Sequence, residues 1–376
     1  MENKKLVMIP GPTPVHQSIL KAMSEETASF KDPGFVADFL SVNRDLKEMW
    51  KTEGEVFVIA GSGTLAMEMS LVNILRAGDP VLVVSHGFFG DRFVEICNYK
   101  NYDVDVLSSS WGQIVPLEKI EDQLKKKDYR ALVVTHVDTS TGVKAPAWEI
   151  GKLLKDKFPD VLYILDGVCS TGGEKEYIDE MGVDILFTGS QKALGVPPGL
   201  AILWAGPKAL EKRKKLGKIS DYYIDFDKWL PIMLDPSKYF GTPPVNLIWA
   251  LKEALRLIKE EGLENRFARH QLDSQAIQST LEDMGFSILA EKNCRASTIS
   301  NVLYPEGIDC EEFRKALVKE GVVVAAGLGE YAGRLFRLGH MGNIDRHTIS
   351  SVLAALERTL HRLGRLEKSP RFNPRW

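Results

Sequence analysis

No stretch of the 376-residue sequence approaches the roughly 18 uninterrupted apolar residues of a membrane span, so a helical membrane protein is not expected. Cysteine is scarce: Cys97, Cys169, Cys294 and Cys310 are all there is, and no two stand as Cys-x-x-Cys. That spacing offers neither a metal site nor a disulfide framework, and reduced thiols in a cytoplasmic protein are the expectation. Neither sign of charge prevails, since 48 lysines and arginines face 51 aspartates and glutamates. The chain therefore lacks the electrostatic footprint of a nucleic-acid or acidic-membrane binder. The opening "MENKKLVMIPGPTPV" holds an apolar run of four residues before Pro10, too short for a secretory leader. Internal repeats and low-complexity tracts are missing too. What remains is an ordinary globular composition, 44% hydrophobic and 26% charged, in which function must sit in a local site.

Between residues 55 and 206 short apolar runs alternate with helical patterns. The runs are "EVFVIA" (55–60), "PVLVVS" (80–85), "YDVDVLS" (102–108), "RALVVTHV" (130–137), "VLYILD" (161–166), "DILFTG" (184–189) and "GLAILWA" (199–205). Their nearly continuous apolar character predicts strands covered on both faces, and the alternation predicts an α/β fold with a mostly parallel seven-stranded sheet and crossover helices. Too little sequence separates the last two runs for a crossover helix, so one of them should be antiparallel. Beyond about residue 245 a long helical pattern, with Gly262 as its expected break, leads into mixed strands ("STISNVLYP", "GVVVAAG", "GRLFRLGH") and helices. The expected organisation is an N-terminal arm (1–17), a large domain (18–260) and a smaller C-terminal α+β domain (261–376). The charge run "EKRKKLGK" (211–218) reads as a solvated helix face.

Several of the predicted strands end in polar residues of particular kinds. After the first comes Gly61-Ser62-Gly63-Thr64 and a helix, a turn whose N–H groups and hydroxyls suit a phosphate. It lacks the Gly-Lys-Ser/Thr of a P-loop. It matches the loose dinucleotide pattern Gly-x-Gly-x-x-Ala, but the acid wanted at the end of the next strand is absent: Asp79 precedes that strand, which ends in Ser85-His86. A plain glycine turn stays open as a reading. The second strand leads to Phe88-Phe89 between glycines, the fourth to Asp138-Thr139-Ser140-Thr141, and the fifth ends in Asp166, either a turn cap or a ligand-facing carboxylate. After the sixth stands Lys192, in "TGSQKALGVPPG". A phosphate turn, a carboxylate, an aromatic ring, hydroxyls and a lysine at one sheet edge are the groups that pyridoxal phosphate requires.

With "GSQKAL..PPG" and "DGV.S.GG" as its specific motifs, the sequence resembles the class V pyridoxal-phosphate aminotransferases of fold type I. It is most similar to the alanine–glyoxylate and serine–pyruvate group, from "GPTPV" at residue 11 to "RLGHMG" at 337–342. The resemblance implies that Lys192 holds pyridoxal 5'-phosphate as a Schiff base and shuttles the substrate's Cα proton. Asp166 would pair with the ring nitrogen, and Phe89 and Val168 would lie against the ring. Ser62, Gly63, Thr64 and Gln191 would bind the phosphate, and Thr139 would sit near the ring's 3-oxygen. Arg337 would grip the substrate α-carboxylate, with Gly11 letting the backbone pass close by. Tyr239 and Thr242, in "KYFGTPP", would reach the phosphate of a neighbouring subunit, implying a homodimer with shared active sites. Two departures stand out: relatives often place a tryptophan where Phe89 stands, and some a histidine at Thr64.

The resemblance implies transamination of alanine or serine with glyoxylate or pyruvate in a ping-pong cycle. Phosphoserine or aminoethylphosphonate transamination stays open, because one arginine does not exclude a second anionic group on the substrate. A cysteine desulfurase would carry histidine where Gln191 stands, and a catalytic cysteine on a mobile loop, a context that neither Cys294 nor Cys310 has. A non-catalytic binding subunit would have no need of Lys192, Asp166 and Arg337 together.

Overall fold

A computed structural model describes residues 5–366. After a short strand β1 (Leu6–Val7), all seven apolar runs become strands: β2 (Glu55–Ala60), β3 (Pro80–Ser85), β4 (Asp103–Ser108), β5 (Ala131–Thr135), β6 (Leu162–Asp166), β7 (Ile185–Gly189) and β8 (Leu200–Ala205). They form one sheet in the order β2-β8-β7-β6-β5-β3-β4. Strand β8 is antiparallel to both β7 and β2, as the short connection after β7 demands, and the other neighbours are parallel. Leucine, isoleucine and valine dominate β5 to β8, which are buried at every residue between covering helices.

Two expectations fail here for local reasons. The strand β4 is not covered on both faces: it is the outermost strand, pairs only with β3, and leaves Asp103 and Val106 exposed. The charge run 211–218 is not uniformly solvated either. Arg213, on helix Pro207–Leu216, is buried and donates from Nε and Nη2 to Asp225 Oδ1 at 2.9 and 2.7 Å.

A second core lies on the four-stranded antiparallel sheet β12-β13-β10-β9, formed by β9 (Ser287–Ile288), β10 (Ile299–Leu303), β12 (Ala325–Ala326) and β13 (Leu335–Gly339). The segment "GVVVAAG" gives two short strands rather than one. Its first part, β11 (Val322–Val323), pairs in parallel with β1, and its second, β12, pairs with β13. Met8 is buried in this second core, and its carbonyl accepts from Gly339 N–H at 2.9 Å. The long helical pattern breaks at Gly262 (φ +80°), which separates Val245–Glu261 from Leu263–Asp283.

Candidate active site

The C-terminal ends of β3, β5, β6 and β7 share one edge of the sheet. Strand β2 points the same way, because the reversed β8 lies between it and β7. A cavity of about 160 Å³ opens at that edge, lined by Ser62, Gly63, Thr64, Phe89, Asp166 and Lys192, with Thr139, Val168 and Gln191 beside them. Nine of the residues singled out in the sequence therefore converge on one space.

Each is placed by its own element. Ser62 is the N-cap of helix Gly63–Val72 but makes no capping hydrogen bond through its side chain, so the first-turn N–H groups lack a side-chain partner. A Cβ on Gly63 would meet Val168 Cγ2 at 2.9 Å; glycine lets the turn lie against that side chain. Asp166 ends β6 and is 2% exposed. Its Oδ1 accepts from Val168 N–H at 2.9 Å, so the carboxylate both caps the turn and lines the cavity. Burial lifts its pKa to about 7, the charge of Asp138 adds to the rise, and the Val168 N–H and Lys192 oppose it.

Phe89 is held through its backbone. Asp138, fully buried, accepts from Phe89 N–H at 3.0 Å and Gly90 N–H at 3.3 Å with Oδ2. Its Oδ1 accepts from the N–H and hydroxyl of Ser140 at 2.8 and 2.6 Å. Ser140 Oγ in turn accepts from Phe88 N–H at 2.9 Å. Together they satisfy the first turn of helix Phe88–Tyr99. The close approach requires Gly87, where a Cβ would meet Ser140 Oγ at 2.4 Å. Asp138→Ala leaves these buried donors unpaired and is expected to cost about 1–3 kcal/mol, read as a lower urea midpoint at unchanged m-value.

Lys192 is 8% exposed and, among the described residues, has no carboxylate within ion-pair distance. Burial holds its ammonium below the ordinary lysine range, and the nearby charge of Arg337 pushes the same way. Its loop is fixed from the N-terminal arm: Thr13 Oγ1 donates to Lys192 O at 2.8 Å, and Thr13 N–H to Gln191 O at 3.0 Å. A Cβ on Gly11, whose φ is +142°, would meet Lys192 Cδ at 2.8 Å, so only glycine lets the arm pass there.

Four sequence-predicted residues lie outside the cavity wall: Gly11, Arg337, Tyr239 and Thr242. Arg337, on β13, donates from Nε to Ala326 O at 2.7 Å and has no ion pair among the described residues, although its charge reaches Lys192. Tyr239, 64% exposed, and Thr242, also exposed, line no part of the cavity. Sequence reading missed four residues that the structure brings in: Arg92 and Cys169 line the cavity, and Asn301 donates from Nδ2 to Ser140 O at 2.6 Å. The fourth, Arg266, donates from Nη2 to Ala193 O at 2.7 Å, next to the lysine. A helical spacing from Phe89 to Arg92 in "FFGDR" was the one available signal.

The sequence model of the aminotransferase class-V family matches residues 37–335. The chain belongs to that family. An uncharacterized aminotransferase of Methanocaldococcus jannaschii is 39% identical over 363 residues, covering 96% of this chain and 94% of the relative. A Synechococcus protein named the small subunit of a soluble hydrogenase is 35% identical, covering 98% and 96%. The solved structure of alanine–glyoxylate aminotransferase from Nostoc sp. superimposes with a TM-score of 0.91 at 34% identity, covering 96% of each chain. Other similar proteins are named for serine, L-aspartate or ureidoglycine as the partner of glyoxylate. The chain is thus a class-V aminotransferase of fold type I, an enzyme acting on an amino acid and a 2-oxo acid. Among the described residues no helix is long and apolar enough to cross a membrane.

Proposed function

We propose that this class-V aminotransferase holds pyridoxal phosphate in the cavity and transfers the amino group of alanine or serine to glyoxylate or pyruvate, in a ping-pong cycle. The observation that carries the reading is Lys192: a buried amine with no carboxylate within ion-pair distance among the described residues, lining one cavity with the buried Asp166 and the N-terminus of helix Gly63–Val72. The donor set fits the cofactor. Ser62, Gly63, Thr64 and Gln191 present N–H, hydroxyl and amide groups for a phosphate, and Phe89 and Val168 offer surfaces for a flat ring. Thr139 offers a hydroxyl for the ring's 3-oxygen. Asp166, whose charge burial opposes, gains a cationic partner in a protonated ring nitrogen.

Bound there, pyridoxal phosphate supplies the electron sink that acidifies the Cα–H of an amino acid. The chain's own residues do the rest. Lys192, whose charged form burial disfavours, would attach the cofactor and later take and return the Cα proton. Arg337, with no carboxylate partner among the described residues, would take the α-carboxylate of the substrate in a fork geometry. Gly11 leaves room beside Lys192 for that substrate. Tyr239 and Thr242, exposed and away from this cavity, would complete the phosphate site of a second copy in a homodimer. A cytoplasmic location is part of the same proposal.

The test is a donor screen on the purified protein. Alanine and serine are expected to remove the visible absorbance of the lysine-bound cofactor, and glyoxylate or pyruvate to restore it. If both leave the spectrum unchanged while phosphoserine or aspartate changes it, the substrate assignment is wrong. Failure to bind pyridoxal phosphate at all would reject the whole reading.

A further inference from the structure

Arg92 stands three residues beyond Phe89 on helix Phe88–Tyr99, a spacing that puts both side chains on one helix face. Its guanidinium carbon lies 4.9 Å from the centroid of the Phe89 ring and 5.2 Å from that of Phe88. Its Nη1 donates to Thr64 Oγ1 at 3.3 Å. The side chain lines the cavity, and with Lys192 it is one of two cationic residues that do so. Among the described residues Arg92 has no ion pair, although Asp91 and Glu95 flank it in sequence; Asp91 instead accepts from Ser85 Oγ at 2.7 Å. An arginine held at a cavity wall by a hydroxyl and two aromatic rings, with its charge uncompensated, is prepared for an anion.

We propose that Arg92 is a phosphate-binding residue of this chain: its guanidinium contacts the phosphate of pyridoxal phosphate beside Thr64 and also backs the Phe89 ring. The inference rests on the cofactor assignment made above. Lys192 is committed to the other end of the cofactor, so the turn Ser62–Thr64 has hydroxyls and N–H groups but no cation of its own. A phosphate monoester carries between one and two negative charges near neutral pH, and neutral donors do not balance them. Arg92 supplies a full charge in a planar fork suited to phosphate oxygens. Its place on the Phe89 ring also couples the two ends of the site: the group that neutralises the phosphate limits how far the stacking aromatic can tilt.

The test compares pyridoxal phosphate with pyridoxal, which differ only in the phosphate. Cofactor-free wild type, Arg92→Gln and Arg92→Lys are titrated with each, following the absorbance of the lysine-bound form. Arg92→Gln is expected to weaken pyridoxal phosphate by about 10- to 100-fold, the range for a lost hydrogen bond to a charged group, while pyridoxal changes by less than about threefold. Arg92→Lys keeps the charge and should recover part of the loss. An equal loss for both compounds would mean that Arg92 only supports Phe89, and no loss for either would mean that it does not touch the phosphate; each overturns the proposal. If wild type binds pyridoxal phosphate and Arg92→Gln binds it equally, the proposal alone falls. If wild type binds neither compound, the cofactor reading falls and the proposal with it.

Discussion

Lys192→Ala is expected to lower turnover of alanine with glyoxylate by about 10⁴-fold or more while leaving the protein at least as stable as wild type. Both halves follow from the same surroundings. Among the described residues the amine is the only lysine on the cavity wall, and burial disfavours its charged form. Among the described residues no other cavity-lining side chain offers a primary amine: Arg92 carries a guanidinium, Asp166 a carboxyl, and burial pushes the thiol of Cys169 up. The fold loses little, because an ammonium buried without a counter-ion costs desolvation that alanine does not incur. The backbone of the loop keeps its bonds from Thr13, which involve the carbonyls of Gln191 and Lys192 and not the side chain. Steady-state turnover and thermal unfolding of the same preparation check the claim. Retained turnover would remove Lys192 from the mechanism, and a large fall in melting temperature would mean that the lysine is structural.

The opposite pattern is expected of Arg266→Leu: a loss of about 2–6 kcal/mol in stability, at about 1–3 kcal/mol for each of two buried carbonyls left without a donor. Arg266 is 1% exposed on helix Leu263–Asp283. Its Nε donates to Gly172 O at 3.0 Å, its Nη2 to Ala193 O at 2.7 Å, and its Nη1 to Glu261 Oε2 at 2.6 Å. Burial lowers its pKa to about 10, and Glu261 opposes the fall, so the guanidinium stays charged at neutral pH. Leucine fills much of the volume but leaves the carbonyls of Gly172 and Ala193 without this donor, while Glu261 keeps Arg269, which donates from Nε to its Oε1 at 2.6 Å. Arg266→Lys should recover only a fraction, since one ammonium cannot reach three diverging acceptors. Urea unfolding measures the cost; an effect below about 1 kcal/mol would show that water replaces the guanidinium. Because Ala193 adjoins Lys192, residual folded variant should also bind cofactor more weakly.

The strands were legible because both of their faces are covered, which writes a continuous apolar run into the sequence. β4 escaped that rule through its position at the edge, which no run of seven residues reveals. The cavity residues were legible for a related reason: Asp166 ends an apolar run, and the glycine turn and Lys192 follow two others. Arg213 and Arg266 were not, because a buried arginine in a helix looks like any charged residue until its partner is known. Asp138 and Asn301 were hidden by distance along the chain: their partners, Phe89 and Ser140, are 49 and 161 residues away. Spacing analysis reports on neighbours in sequence, and these contacts join segments that only the finished topology brings together. The roles of Tyr239 and Thr242 came from resemblance alone, and nothing in the cavity of one chain would suggest them.

The bond from Thr13 to the carbonyl of Lys192 spans 179 residues, and that from Arg266 to Ala193 spans 73. Contacts this remote in sequence carry a loop-closure entropy that a chain recovers only when both ends are already held. The loop that carries Lys192 is therefore not expected to gain these two bonds while the central sheet is forming. It is expected to acquire them when the N-terminal arm and the helix after Gly262 dock, so that, on the proposed function, cofactor capture would report completion of the whole fold and not of the sheet alone.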